Sequence, residues 1–136
     1  MANYKVIEVE GIGPVLAGKL NEAGIMSTDQ LLKACKTKAD RKALATKSGI
    51  EESKILKFAN MVDLFRIKGV GSEYAELLEA AGVDTVKELA TRKADNLTEK
   101  MAEVNAVKKL VRRLPVRKMV EDWVKQAKDL PRMLEY

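Results

Sequence analysis

The chain reads as an all-α protein in which two repeats, each built around a glycine turn between helices, pack as one compact helical body. Three observations predict this. Apolar residues recur at three- and four-residue spacing, and almost nothing alternates by two. Val9-Glu10-Gly11-Ile12-Gly13 and Ile67-Lys68-Gly69-Val70-Gly71 each open a helical run, and the runs stop at Ala23-Gly24-Ile25 and Ala81-Gly82-Val83. Every matched position from Gly11/Gly69 to Leu31/Leu89 keeps one offset of 58 residues, the mark of an internal duplication. The boundary chemistry repeats too: Ser27-x-x-Gln30 and Thr85-x-x-Glu88 are both capping boxes at that offset.

The elements follow in chain order. Lys5–Val9 suits either an extended segment or a single helical turn. Pro14 stands where a helix has its first residue, a position that tolerates its missing N–H, and Gly24 supplies the stop. Ser27 opens a short helix through Leu31 and Leu32. A helix from Asp40 through Lys47 breaks at Ser48-Gly49, and a long one near Glu51–Ile67 carries Ile55, Phe58, Ala59, Val62 and Phe65 into the second turn. No Pro- or Gly-rich linker intervenes. The repeats are therefore placed at 1–64 and 65–136, sharing the helix near 51–67. The second copy runs through Asn96–Val104, then a helix from Ala106 to Leu114 stopped by Pro115. The closing helix, Val116–Leu130, has Val116, Met119, Val120, Trp123, Val124 and Ala127 on one stripe, with Trp123 read as a core anchor.

Composition narrows the function. With 46% hydrophobic and 33% charged residues, the 136-residue chain is ordinary globular material, large enough for one core or two small ones packed together. No apolar run reaches membrane-spanning length, and Met1-Ala2-Asn3-Tyr4-Lys5 lacks the core of a secretory signal, so a cytoplasmic protein with no membrane partner is expected. Cys35 stands alone, which suits a reducing compartment; between Lys33 and Lys36 it reads as an ordinary helix residue before a reactive thiol. The absence of histidine excludes Ser-His and Cys-His pairs and imidazole metal ligation. No carboxylates pair at a defensible acid–base spacing, so neither enzyme activity nor a cofactor or metal is expected. Net charge is +5, spread over both halves, which permits nucleic-acid contact without requiring it.

A glycine-aliphatic-glycine turn lets two helices reverse direction while its central residue plugs the core, both glycines being expected at backbone angles closed to other residues. Such a turn also presents backbone N–H groups at the next helix's N-terminus, where the dipole favours an anion; phosphate is the natural one. Both segments look like helix-hairpin-helix motifs. The stretch from Leu64 to Leu89, with Gly11-Ile12-Gly13-Pro14 and Trp123-Val124-Lys125-Gln126-Ala127-Lys128-Asp129-Leu130-Pro131, is similar to a bacterial family labelled domain of unknown function 4332. The resemblance spans nearly the whole chain and brings a fold without an established activity. Carried over by position, it implies phosphate-facing amides at Gly11, Gly13, Gly69, Gly71 and Ser72.

The local charges are mixed. Pro14 removes a donor from the first turn, Glu8 and Glu10 precede it, and Lys19 is its only nearby cation. The second turn has Arg66 and Lys68 before it and Ser72 as an extra donor, yet Glu73, Glu76 and Glu79 follow on one helix face. The densest basic cluster is Lys108, Lys109, Arg112, Arg113, Arg117 and Lys118, with no acid among them. With Val107, Leu110, Val111 and Leu114 turned inward, Lys108, Lys109, Arg112 and Arg113 would share an outer helix face able to neutralise several phosphates. The same face could simply be solvated. Two functions remain: sequence-independent binding of duplex DNA or another nucleic acid, or a protein-interaction or scaffolding module whose hairpins are structural only. A base-excision glycosylase is rejected, because no catalytic Asp or Lys stands at a nameable position beyond a hairpin.

Overall fold

A computed structural model of the chain describes residues 3–136. Among them are eight α-helices and no strand: α1 Pro14–Glu22, α2 Thr28–Ala34, α3 Lys38–Ser48, α4 Glu52–Leu64, α5 Ser72–Ala80, α6 Val86–Ala90, α7 Ala94–Lys108 and α8 Arg117–Asp129. Lys5–Val9 resolves into a 310 turn over Val6–Glu8 and an isolated bridge from Lys5 to Ser27.

Local chemistry sets most boundaries. Pro14 occupies the first turn of α1 behind Gly13, and Gly49, at φ +74°, caps α3 in the left-handed region. The Ser27–Gln30 box closes in both directions. At α6 only half of the anticipated box forms. The Thr85 hydroxyl accepts the Glu88 N–H (3.3 Å), but the Glu88 carboxylate turns to Arg92 instead (3.1 Å).

α4 is the central post. It packs on α2 and α3 along one side and on α5 along the other, while α5 meets α7, and α8 lies across α6 and α7. Ile55, Phe58, Ala59, Met61 and Val62 of α4 are buried in a core continuous with Leu20, Leu31, Leu77, Leu89 and Trp123. Each such large side chain contributes about 1.5–3 kcal/mol by leaving water. The anticipated helix to Ile67 stops at Leu64, because residues 65–67 tighten into single turns that drive Phe65 and Ile67 inward. Asp63 ties α4 to α6: one carboxylate oxygen accepts the Val86 N–H (2.9 Å) and the other accepts from Arg66 (2.9 Å).

The anticipated helix from Ala106 to Leu114 does not form. α7 is one helix from Ala94 to Lys108, and Lys109, in the left-handed region at φ +50°, ends it. Asn105 then replaces the helical ladder, accepting the Val111 N–H (3.0 Å) and donating to the Val111 carbonyl (3.1 Å). Pro115 disfavours helix at Leu114, so residues 109–116 cross to α8 as an irregular connection. Val107, expected inward, is 82% exposed and Leu114 is 41% exposed; Val111 is buried.

After α8 the chain runs back to α2–α4. Leu134 is buried, the Glu135 N–H donates to the Lys36 carbonyl (2.8 Å), and the Tyr136 hydroxyl meets Asn60 Oδ1 (2.5 Å).

Candidate nucleic-acid interface

The second glycine turn is built by α8 as much as by its own sequence. Val70 closes it by donating to the Ile67 carbonyl (3.1 Å) and buries its side chain. Gly69 sits at φ +95°, and a Cβ there would stand 3.1 Å from Trp123 Nε1. One turn further along α8, Gln126 grips Lys68 at both ends of its residue, accepting its N–H (2.9 Å) and donating to its carbonyl (3.2 Å). Sequence reasoning did not single out Gln126; its signal was the three-residue spacing from Trp123, which puts both on one helix face.

Gly71 is the N-cap of α5 with no side chain capping that end, and no acceptor meets the Gly71, Ser72 and Glu73 N–H groups among the described residues. Those amides and the helix dipole point to an anion. The Ser72 hydroxyl oxygen accepts the Glu10 N–H (2.7 Å), which leaves its own proton to donate. This bond also ties the first turn to the second.

Residues distant in sequence meet here. A cleft of about 520 Å³ is lined by Gly69, Gly71, Ser72 and Tyr74 together with Arg112 and Arg113 of the α7–α8 connection. Tyr74 donates its hydroxyl to the Arg113 carbonyl (3.0 Å) while its ring lies against Trp123, centroids 5.2 Å apart. Glu10 and Glu73 line the same cleft, so its walls are of both signs. Beside it, burial raises the Glu76 carboxyl above the usual carboxylate range, with Glu10 adding to the effect and Lys57 opposing it.

Several anticipated contacts fall elsewhere. Arg66 is not free to meet phosphate: its side chain is 5% exposed, paired with Asp63 and bonded to the Pro131 carbonyl. The single turns over residues 65–67 carry Arg66 inward, where Asp63 one turn back meets it. Arg117 pairs with Glu121, its own neighbour one turn along α8, and with Asp95, which only the packing of α7 against α8 brings to it. Lys118 lines a separate groove with Arg92, Lys93, Glu121 and Asp122. Lys19 and Lys108 are exposed in the last turns of α1 and α7, where cations complement the helix dipole. Lys109 is exposed at the α7 terminus, and Lys68 is exposed beside the second turn.

In the first turn, Gly11 at φ +92° lies against Phe58, whose Cε1 would stand 3.3 Å from an added Cβ. Gly13 and Gly71 do not share that conformation. At φ −88° and −98° both are extended, so only the leading glycine of each turn needs the left-handed region. Gly11 and Gly13 lie outside the arginine cleft, and Pro14 leaves α1 one donor short.

The fold and site define a small all-helical protein with two glycine turns joined through Glu10 and Ser72, one of them facing a pair of arginines. A family model described as Domain of unknown function (DUF4332) matches residues 10–130, and the chain belongs to that family. Neither a curated protein nor a solved structure matches it. Among the described residues no group of three or more metal-ligating side chains occurs, and no helix is long and apolar enough to cross a membrane.

Proposed function

We propose that this protein binds the phosphate backbone of duplex DNA without reading base sequence and without catalysing a reaction. In this reading the chain is a bacterial tandem helix-hairpin-helix repeat acting in the reducing cytoplasm, where Cys35 stays a thiol. The second hairpin makes the contact. One observation carries the reading: Arg112 and Arg113 share a cleft with the Gly69–Ser72 turn although about 40 residues separate them in sequence. Open amides fix a phosphate's position and two guanidiniums supply charge, an arrangement that positions a backbone and specifies no base.

The test is fluorescence anisotropy with a short duplex under salt titration. Affinity should fall steeply between about 50 and 200 mM salt, and Arg112→Glu with Arg113→Glu should abolish it. Flat, negligible binding to DNA and RNA at low salt overturns the proposal. Glu10 and Glu73 in the cleft favour a second reading, a protein-interaction or scaffolding module in which the hairpins are structural. A stable partner recovered by pull-down regardless of nuclease treatment, from a chain that ignores DNA, would establish that alternative.

A further inference from the structure

We infer that residues 109–116 form a preset cationic arm, and that Asn105 and Tyr74 are the positioning residues that hold it over the second turn. The inference rests on the proposed backbone binding and assigns roles to two side chains that carry no charge. An irregular eight-residue segment has no ladder to fix its course, so its cations would ordinarily sample many placements at an entropic cost to binding. Here it is fastened at two points. Asn105 takes both the N–H and the carbonyl of Val111, immediately before Arg112. Tyr74, on the first turn of α5, takes the carbonyl of Arg113. The two anchors bracket the arginine pair from opposite helices.

The Tyr74 anchor is itself braced. Its ring lies on Trp123, the same side chain that abuts Gly69, so one indole sets both the turn with its open amides and the tyrosine that holds the arm. The arginine side chains remain exposed and point charges stay available, while their backbone is held. This division predicts a distinctive signature. Losing a cation removes phosphate contacts and lowers the salt dependence, whereas losing an anchor keeps the cations and removes only their placement.

The experiment compares wild type, Asn105→Ala, Asn105→Asp, Tyr74→Phe and the Arg112→Ala/Arg113→Ala double variant on one duplex. Each is titrated across salt well below its melting temperature. Asn105→Ala and Tyr74→Phe should each weaken binding several-fold with the slope of log affinity against log salt unchanged. The double variant should lose about 1.8 from that slope, roughly 0.9 per phosphate contact. Asn105→Asp keeps the acceptor for the Val111 N–H but sets a carboxylate against the Val111 carbonyl and adds an acid beside the arm. It should therefore bind no better than Asn105→Ala, and wild-type affinity in it would count against the anchor. Tyr74→Phe keeps the ring on Trp123, so its indole fluorescence should match wild type and exclude a general packing effect. A wild type that binds while both anchor variants bind equally well overturns this inference and leaves the proposed function standing. Anchor variants that weaken binding only in step with a lost salt slope overturn it too. A wild type that ignores the duplex overturns both.

Discussion

Gly69 and Gly13 look interchangeable in sequence and are opposite in the folded chain. Gly69 is held at φ +95° with Trp123 against its α-carbon, so Gly69→Ala meets both backbone strain and a clash. A loss of about 2–3 kcal/mol is expected, from roughly 1–2 kcal/mol for the left-handed backbone plus the displaced indole. Gly13 is extended, with nothing within 4 Å of an added Cβ. Gly13 is also the N-cap of α1, where alanine is a poorer residue than glycine. The entropic gain of Gly13→Ala through the unfolded chain is thereby offset, and the net change should stay within about 1 kcal/mol of zero. Urea denaturation of the two variants separates these outcomes. The acids of the cleft make a second residue-level prediction: Glu10→Gln and Glu73→Gln should each tighten duplex binding about two- to five-fold, by removing like charge near phosphate at the edge of solvent. Cys35 gives a third. Burial pushes its thiol from 9.0 up to about 12, with Arg41 opposing and Asp40 adding. The folded chain thus holds the proton more tightly than the unfolded one. The resulting stability is complete below pH 9.0 and is lost as pH rises toward about 12. Thiol reagents at pH 8 should label Cys35 only as denaturant unfolds the chain, and rapid labelling of the native protein would contradict this placement.

Between elements, the buried Asp63–Arg66 pair has more structural weight than any surface contact. Asp63 starts α6 by accepting from Val86 and neutralises Arg66, whose other contact is the Pro131 carbonyl beyond α8. Removing the acid leaves an uncompensated buried cation, so Asp63→Ala should cost about 3–5 kcal/mol in chemical denaturation. Adding Arg66→Met should recover a large part of that loss. Exposed pairs such as Lys33–Asp29 should each matter by less than about 1 kcal/mol. The α7–α8 connection shows where helical periodicity misleads. Val107, Leu110, Val111 and Leu114 have helical spacing, yet one asparagine and one proline redirect the chain. Asn105 outbids the ladder with two bonds to a single residue, and Pro115 withholds support from the far side.

For the whole molecule, residues 131–136 join the last helix to the first half of the chain. Leu134 is buried, Glu135 reaches Lys36, and Tyr136 lies under Arg41 and Arg132 at 5.4 and 5.9 Å. Ending the chain at Leu130 should lower stability by about 2–4 kcal/mol, through one buried leucine and the lost acceptor of Arg66. Calorimetry reads this as a lower melting temperature for the whole molecule in one transition; an unchanged melting temperature would contradict it. The helical class, the two turns, the caps at Ser27 and Thr85, and the buried roles of Trp123, Ile12 and Val70 were legible in the sequence. Each follows from chemistry within about one turn of chain: a cap reaches three residues, a helix face repeats every three or four, and a left-handed position asks for glycine. The candidate site was legible only in part. Gly69, Gly71, Ser72, Arg112 and Arg113 come together, while Arg66 is taken into the core, Arg117 is paired and Lys118 faces another groove. The tertiary structure alone decided which cations face an open helix end, because a charged side chain's fate depends on what packs around it from elsewhere in the chain. Local spacing can place a cation on a surface, or beside an acid as in Asp63–Arg66 and Arg117–Glu121, but only long-range packing determines whether that side chain is buried or faces an open helix end.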